Sequence, residues 1–258
     1  MKNIVLSLLM LGLTQAPDLV AKAASVNKPN FVFILVDDMG WKDLACYGSD
    51  FYESPNIDKL ASEGLRFTNG YAAAPLCSAT RASILSGWSP ARQHIHSVTP
   101  SVKGRHPWNN YAYKSWKDEA QHQYPGVYKL TIPKTLGQFP LKRVTFAERL
   151  KEKKYTTGFL GKWHLGTDES MGPDKQGFDY TFAVSERGYP PSFHAPYKRG
   201  DYEFHDFKAK KSDEYLTDRL TDEGIEFIKK NKKESFCLYM SYYSVHSPWE
   251  SKKEYTKY

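Results

Sequence analysis

Cysteine is scarce: 258 residues carry three, Cys46, Cys77 and Cys237. An odd number excludes a disulfide framework that uses every thiol. Cys46 and Cys237 could pair, but Cys237 lies in an apolar run, which favours a buried free thiol. Long hydrophobic runs are also missing after the amino terminus, which excludes a later membrane span. The one early run, Ile4 to Leu13, follows Lys2 and precedes the small-x-small pattern Ala21-Lys22-Ala23. That layout reads as a secretory signal peptide over 1–24, with a mature chain 25–258 that is periplasmic or secreted and free of the membrane. Internal repeats are absent, which excludes an array of stacked units. Blocks of like charge are absent too. The net charge is +7, yet Lys and Arg are scattered among acids and no nucleic-acid-binding signature occurs. The charge therefore supports an anionic substrate and no nucleic-acid partner.

What is present is an alternation of strands and helices. Asn30 to Val36 is apolar and rich in β-branched and aromatic residues, the pattern of a strand buried on both faces. Ser54 to Gly64 has the N-cap, early Pro and terminal Gly of a short helix. Leu65 to Tyr71 reads as a short strand and Thr80 to Ser86 as a helix stopped by Gly87. Residues 97–140 have little periodicity and many aromatic side chains, among them His106, Trp108, Tyr111, Tyr113, Trp116 and His122. This is a long loop suited to stacking on a sugar or aryl group. Val144 to Lys153 is amphipathic, with a Thr145-x-x-Glu148 capping box. Tyr155 to Leu160 is a strand, 188–206 is irregular and aromatic, Asp213 to Lys230 is a helix, and Phe236 to Tyr243 is a third buried strand. A new helix is expected to begin near Tyr258. The class is α/β with a largely parallel central sheet flanked by helices.

In such sheets ligands collect beyond the carboxyl ends of strands. Asp37 and Asp38 follow the first strand, Lys162 and His164 the second, and His246 the third. Paired carboxylates suit a hard divalent cation. Cys77 leads a helix, where the N-terminus favours negative charge and lowers a thiol's pKa, and Arg81 lies one turn on. Each feature alone could be a solvated turn or an exposed residue. Together they form a kit for attack on a tetrahedral oxyanion.

These segments resemble a known family. Cys77-Ser78-Ala79-Thr80-Arg81 resembles the type I sulfatase signature, and Gly161-Lys162-Trp163-His164-Leu165-Gly166 the second sulfatase motif. Asn30 to Gly40, Ser54 to Gly64 and His246-Ser247-Pro248 match in kind and order. The resemblance implies an alkaline phosphatase-like fold and hydrolysis of sulfate esters. It implies that Cys77 is converted to formylglycine by a formylglycine-generating or sulfatase-maturating enzyme. Asp37 and Asp38 would bind Ca2+ together with an oxygen of modified Cys77. Arg81 and Lys162 would hold the aldehyde hydrate and the sulfate charge. His164 would take a proton from the hydrate, and His246 would bind sulfate and help protonate the leaving oxygen. Ala79 stands where many members have Pro. The family's later metal pair and second Lys have no counterpart after His246, so the chain reads as a truncated, amino-terminal part of the fold that binds metal poorly. The substrate expected is a sulfated carbohydrate or aryl sulfate. A related phosphodiesterase or phosphonate hydrolase, and a non-catalytic glycan-binding protein, are the competing readings.

Overall fold

A computed structural model describes residues 28–99, 112–113, 135–166 and 169–256. The expected signal peptide and the side chains of His106, Trp108, Tyr111, Tyr113, Trp116 and His122 lie outside the described residues. Strands are β1 Phe31–Leu35, β2 Ala112–Tyr113, β3 Thr135–Leu136, β4 Thr156–Lys162, β5 Tyr180–Ser185, β6 Lys198–Arg199, β7 Tyr202–Glu203 and β8 Phe236–Ser241. Helices are α1 Pro55–Glu63, α2 Cys77–Ser86, α3 Pro90–Gln93, α4 Phe146–Glu152 and α5 Leu216–Asn231. The main sheet has the order β1-β8-β4-β5, and every pair in it is parallel. β2 and β3 form a small parallel pair, β6 and β7 an antiparallel one.

The sheet is covered on both sides because its strands alternate apolar residues between two faces. Leu160, Leu238 and Met240 join Leu216, Leu220 and Phe227 of α5 in one core. Phe159 and Tyr239 join Ala82 and Leu85 of α2 and Ala147 of α4 in the other. β8, between two neighbours, is buried at every position. α4 starts at the anticipated capping box: the Thr145 side chain accepts from the Glu148 N–H, and Glu148 accepts from the Thr145 N–H.

The structure corrects several expectations. β1 is not buried on both faces: Phe31 to Ile34 are 38–57% exposed, because β1 is an edge strand paired only with β8. Leu65 to Tyr71 is not a strand; it finds no partner, and Leu65, Phe67 and Tyr71 face solvent. A short 3-10 turn forms at Lys253–Tyr255, and the helix expected near Tyr258 lies outside the described residues. The apolar pattern of Asp213 to Lys230 predicts Leu216, Leu220, Ile225, Phe227 and Ile228 on one buried side of the helix, but Ile225 is exposed while Leu220 and Phe227 are buried. β5 was missed, because Tyr180–Ser185 follows a Gly- and Asp-bearing turn and has only a brief apolar stretch. All three cysteines are free, so Cys46 and Cys237 do not pair, and Cys237 is buried.

Register sets the level of the site. Ser241, at the end of β8, is opposite both Leu35 of β1 and Gly161 of β4, while Lys162 is opposite Ser185 of β5. Gly161 permits this closeness. Its φ is +101°, and a Cβ there would sit 2.0 Å from the Ser241 carbonyl oxygen.

Candidate active site

Four strand ends and one helix start converge at this level. β4 runs on through Lys162, two residues further than expected, so Lys162 is in the strand and fully buried. His164 follows, buried, with its N–H and that of Trp163 donated to the Ser185 carbonyl at the end of β5. α2 begins at Cys77 itself, with Leu76 as N-cap. This start is tied to the β4 loop: the hydroxyls of Ser78 and Thr99 donate to the His164 carbonyl at 2.8 and 2.7 Å. The Cys77 Sγ therefore lies 3.2 Å from His164 Nδ1.

Arg81, one turn along α2, reaches under the sheet's end. It donates to the Lys162 carbonyl at 2.8 Å, to Ser241 Oγ, and to Asp37 Oδ1 at 3.2 Å. Lys162 donates to the other Asp37 oxygen. Both ion pairs are nearly dry, with all three side chains no more than 5% exposed. The Arg81 Nε is buried without a partner. Burial pulls Lys162 below its ordinary pKa and the Arg81 charge adds to this, while Cys77 and Asp37 pull the other way. Burial, with the charges of Lys162, Arg81 and His246, holds His164 well below the usual imidazole range. His164 is thus a neutral base beside the thiol.

His246 stands on the loop after β8, with Nε2 3.6 Å from Asp38 Oδ2. Asp37, Asp38 and His246 each offer a ligand atom within 4.8 Å of the others, a group able to hold a cation. The Cys77 thiol lies outside this group and faces His164; the ligand expected there is an oxygen of the modified residue, which the thiol does not represent. For a hard cation needing six to eight oxygens, the two carboxylates fit part of a shell, and Asp37 already serves two cationic side chains.

All the anticipated residues except those of the 97–140 loop thus meet in one place. Sequence reasoning missed Ser78, Thr99, Ser241 and Gly188. Gly188 packs against His164, leaving only 2.7 Å between a hypothetical Cβ and the ring. Ser78 sits inside the recognised motif; the other three carry no local signal.

The sulfatase family model matches residues 29–258. The chain belongs to the sulfatase family. It is 31% identical over 244 residues to N-acetylgalactosamine-6-sulfatase of Canis lupus familiaris, covering 88% of this chain and 41% of that one. It is 40% identical over 158 residues to arylsulfatase G of Homo sapiens, covering 61% and 24%. Among solved structures it is similar to Ps i-CgsB, with a TM-score of 0.64, 29% identity, and 88% and 47% of the two chains covered. The α/β, alkaline phosphatase-like architecture of this sulfatase follows from that likeness and from the parallel sheet. The chain spans less than half the length of these relatives.

Proposed function

We propose that this chain carries the nucleophile-bearing part of an enzyme that hydrolyses sulfate esters through formylglycine at position 77. The supporting observation is the meeting of Cys77 with His164 at 3.2 Å, at the start of α2 and beside the buried cations Arg81 and Lys162. A thiol-to-aldehyde conversion at Cys77, made by a maturation enzyme, would place a hydrated aldehyde there. One hydroxyl of the hydrate attacks sulfur, its proton passing to solvent, and the bond from sulfur to the alcohol oxygen breaks as that oxygen takes a proton from His246. His164, neutral at pH 7, then accepts the proton of the second hydroxyl. Its oxygen reforms the aldehyde as the carbon–oxygen bond to sulfate breaks. Arg81 and Lys162 hold the sulfate oxygens, and the buried Arg81 Nε is a donor with no partner in the site. Asp37 and Asp38 would hold a divalent cation, Ca2+ in this reading, which supplies positive charge near the aldehyde hydrate.

The substrate class we infer is a sulfated carbohydrate. One relative is named for N-acetylgalactosamine-6-sulfate chemistry, and Ps i-CgsB, 28% identical, has been solved with k-i-k-neocarrahexaose. Export to the periplasm or beyond, after removal of residues 1–24, suits a polymeric substrate. Among the described residues no helix is long and apolar enough to cross a membrane. The test is co-expression of the encoded protein with a maturation enzyme, mass spectrometry of the Cys77 peptide, and assay on an aryl sulfate and an aryl phosphodiester. An aldehyde at 77 with preference for the sulfate supports the proposal. Preference for the phosphodiester favours a phosphodiesterase, and an unmodified thiol without turnover favours a glycan-binding role.

A further inference from the structure

The segment bearing His246 is pinned at both ends. At its start the Val245 N–H donates to the Asp37 carbonyl at 2.7 Å, and the Asp37 N–H to the Ser244 carbonyl at 2.8 Å. Thr217 of α5 shares a hydroxyl hydrogen bond with Ser244 at 2.8 Å. At its far end stands Glu250. One carboxylate oxygen accepts from the Phe193 N–H at 2.7 Å and the Ser192 hydroxyl at 2.8 Å, and the other from Arg199 at 2.9 Å. The Glu250 carbonyl accepts from the Tyr215 hydroxyl at 2.9 Å. Between these pins the imidazole has little of its own to hold it. Its hydrogen bonds are to the adjacent Ser247, and its ion pair is to Asp38, whose side chain is 60% exposed. The ring's direction is inherited from the loop, and the Glu250 carboxylate makes three of the hydrogen bonds that fasten the loop's far end, beside the Tyr215 hydroxyl and His194.

We propose that Glu250 is a positioning residue for His246: it locks Val245–Glu250 onto the Ser192–Arg199 segment and so fixes the imidazole beside Asp37 and Asp38. A carboxylate suits this task because donors approach both of its oxygens, and the guanidinium of Arg199 adds charge assistance. An amide has one accepting oxygen and would turn its own N–H2 toward a donor. The consequence for turnover rests on the reading of His246 as proton donor to the leaving oxygen.

The test uses the matured, encoded protein with Glu250→Gln and Glu250→Ala, and two substrates. A 4-nitrophenyl sulfate leaves without help, whereas an alkyl sulfate needs a proton on its departing oxygen. We expect kcat on the alkyl ester to fall about tenfold or more and kcat on the aryl ester to change far less. Equal losses on both esters would mean that Glu250 only stabilises the fold, and would overturn the proposal. A second readout needs no activity: the ring signals of 15N-labelled histidine. Those of His246 should move in chemical shift in both variants, as the ring's contact with Asp38 changes, while those of His164 stay in place. An unchanged His246 in folded variants overturns the proposal. If Glu250→Ala does not fold, Glu250→Gln and Arg199→Ala carry the same comparison. A wild-type protein inactive on both esters removes the sulfatase reading and leaves the histidine spectrum to decide on Glu250.

Discussion

At the residue scale, Asp37 is the most heavily committed carboxylate of the site. It takes Arg81 on one oxygen and Lys162 on the other, away from water. Removing one partner of a buried ion pair strands the rest of its charge, at a cost of about 3–5 kcal/mol. Arg81→Leu should therefore lower the urea midpoint of unfolding sharply, beyond the loss of any activity. An unchanged midpoint would mean that water or Lys162 alone satisfies Asp37. His164 makes a second prediction. Its folded-state pKa lies below the unfolded value of about 6.5, so on acidification the unfolded chain takes the proton first. Stability should be fully present above that pH and fall below it, by up to about 1.4 kcal/mol per pH unit from this group. Denaturation midpoints at pH 7.5, 6.5 and 5.5, compared between the wild type and His164→Gln, would reveal this slope. An equal slope in both would refute it.

At the scale of elements, two substitutions should differ in severity. Thr145→Ala removes the N-cap acceptor of α4 and the hydroxyl's bond to the Gln176 carbonyl, for about 1–2 kcal/mol. Gly161→Ala forces a methyl group against the Ser241 carbonyl and puts a side chain at positive φ, where β4 and β8 are closest. It should destabilise more than Thr145→Ala and move Lys162 as well, which chemical denaturation and assay together would show. Equal effects would mean that the strands part without cost. The capping box was legible because it is a four-residue pattern. The β4–β8 closeness was not, because a lone Gly in a strand does not reveal which neighbour approaches it.

At the scale of the whole molecule, one side is bare among the described residues. Phe31 to Ile34 on the free edge of β1 are exposed, as are Leu60 of α1, Leu65, Phe67 and Tyr71. α1 buries none of its residues. An open apolar strand edge is a template for association. The 258-residue chain made alone should bind a hydrophobic dye and run larger than a monomer in light scattering, and Val32→Lys with Ile34→Lys should reduce both. A monodisperse, dye-free monomer would contradict this. Calcium should raise the thermal midpoint of this chain only slightly. Two carboxylates and an imidazole make a poor hard-cation shell, and Asp37 must first release two cations. A large thermal shift would show that the site is more complete than its ligands suggest.

The family and the α/β alternation were legible in the sequence alone, and so were the candidate residues Asp37, Asp38, Cys77, Arg81, Lys162, His164 and His246. Their signals are local: short motifs beside apolar runs. Only the tertiary structure decided that Cys77 faces His164, that His246 joins Asp37 and Asp38, that Arg81 and Lys162 share Asp37, and that β1 lies at an edge. Those outcomes depend on strand order and register, which bring together residues more than 200 positions apart, such as Asp38 and His246. No short window of sequence holds that information, because parallel strands are paired by packing across the whole sheet.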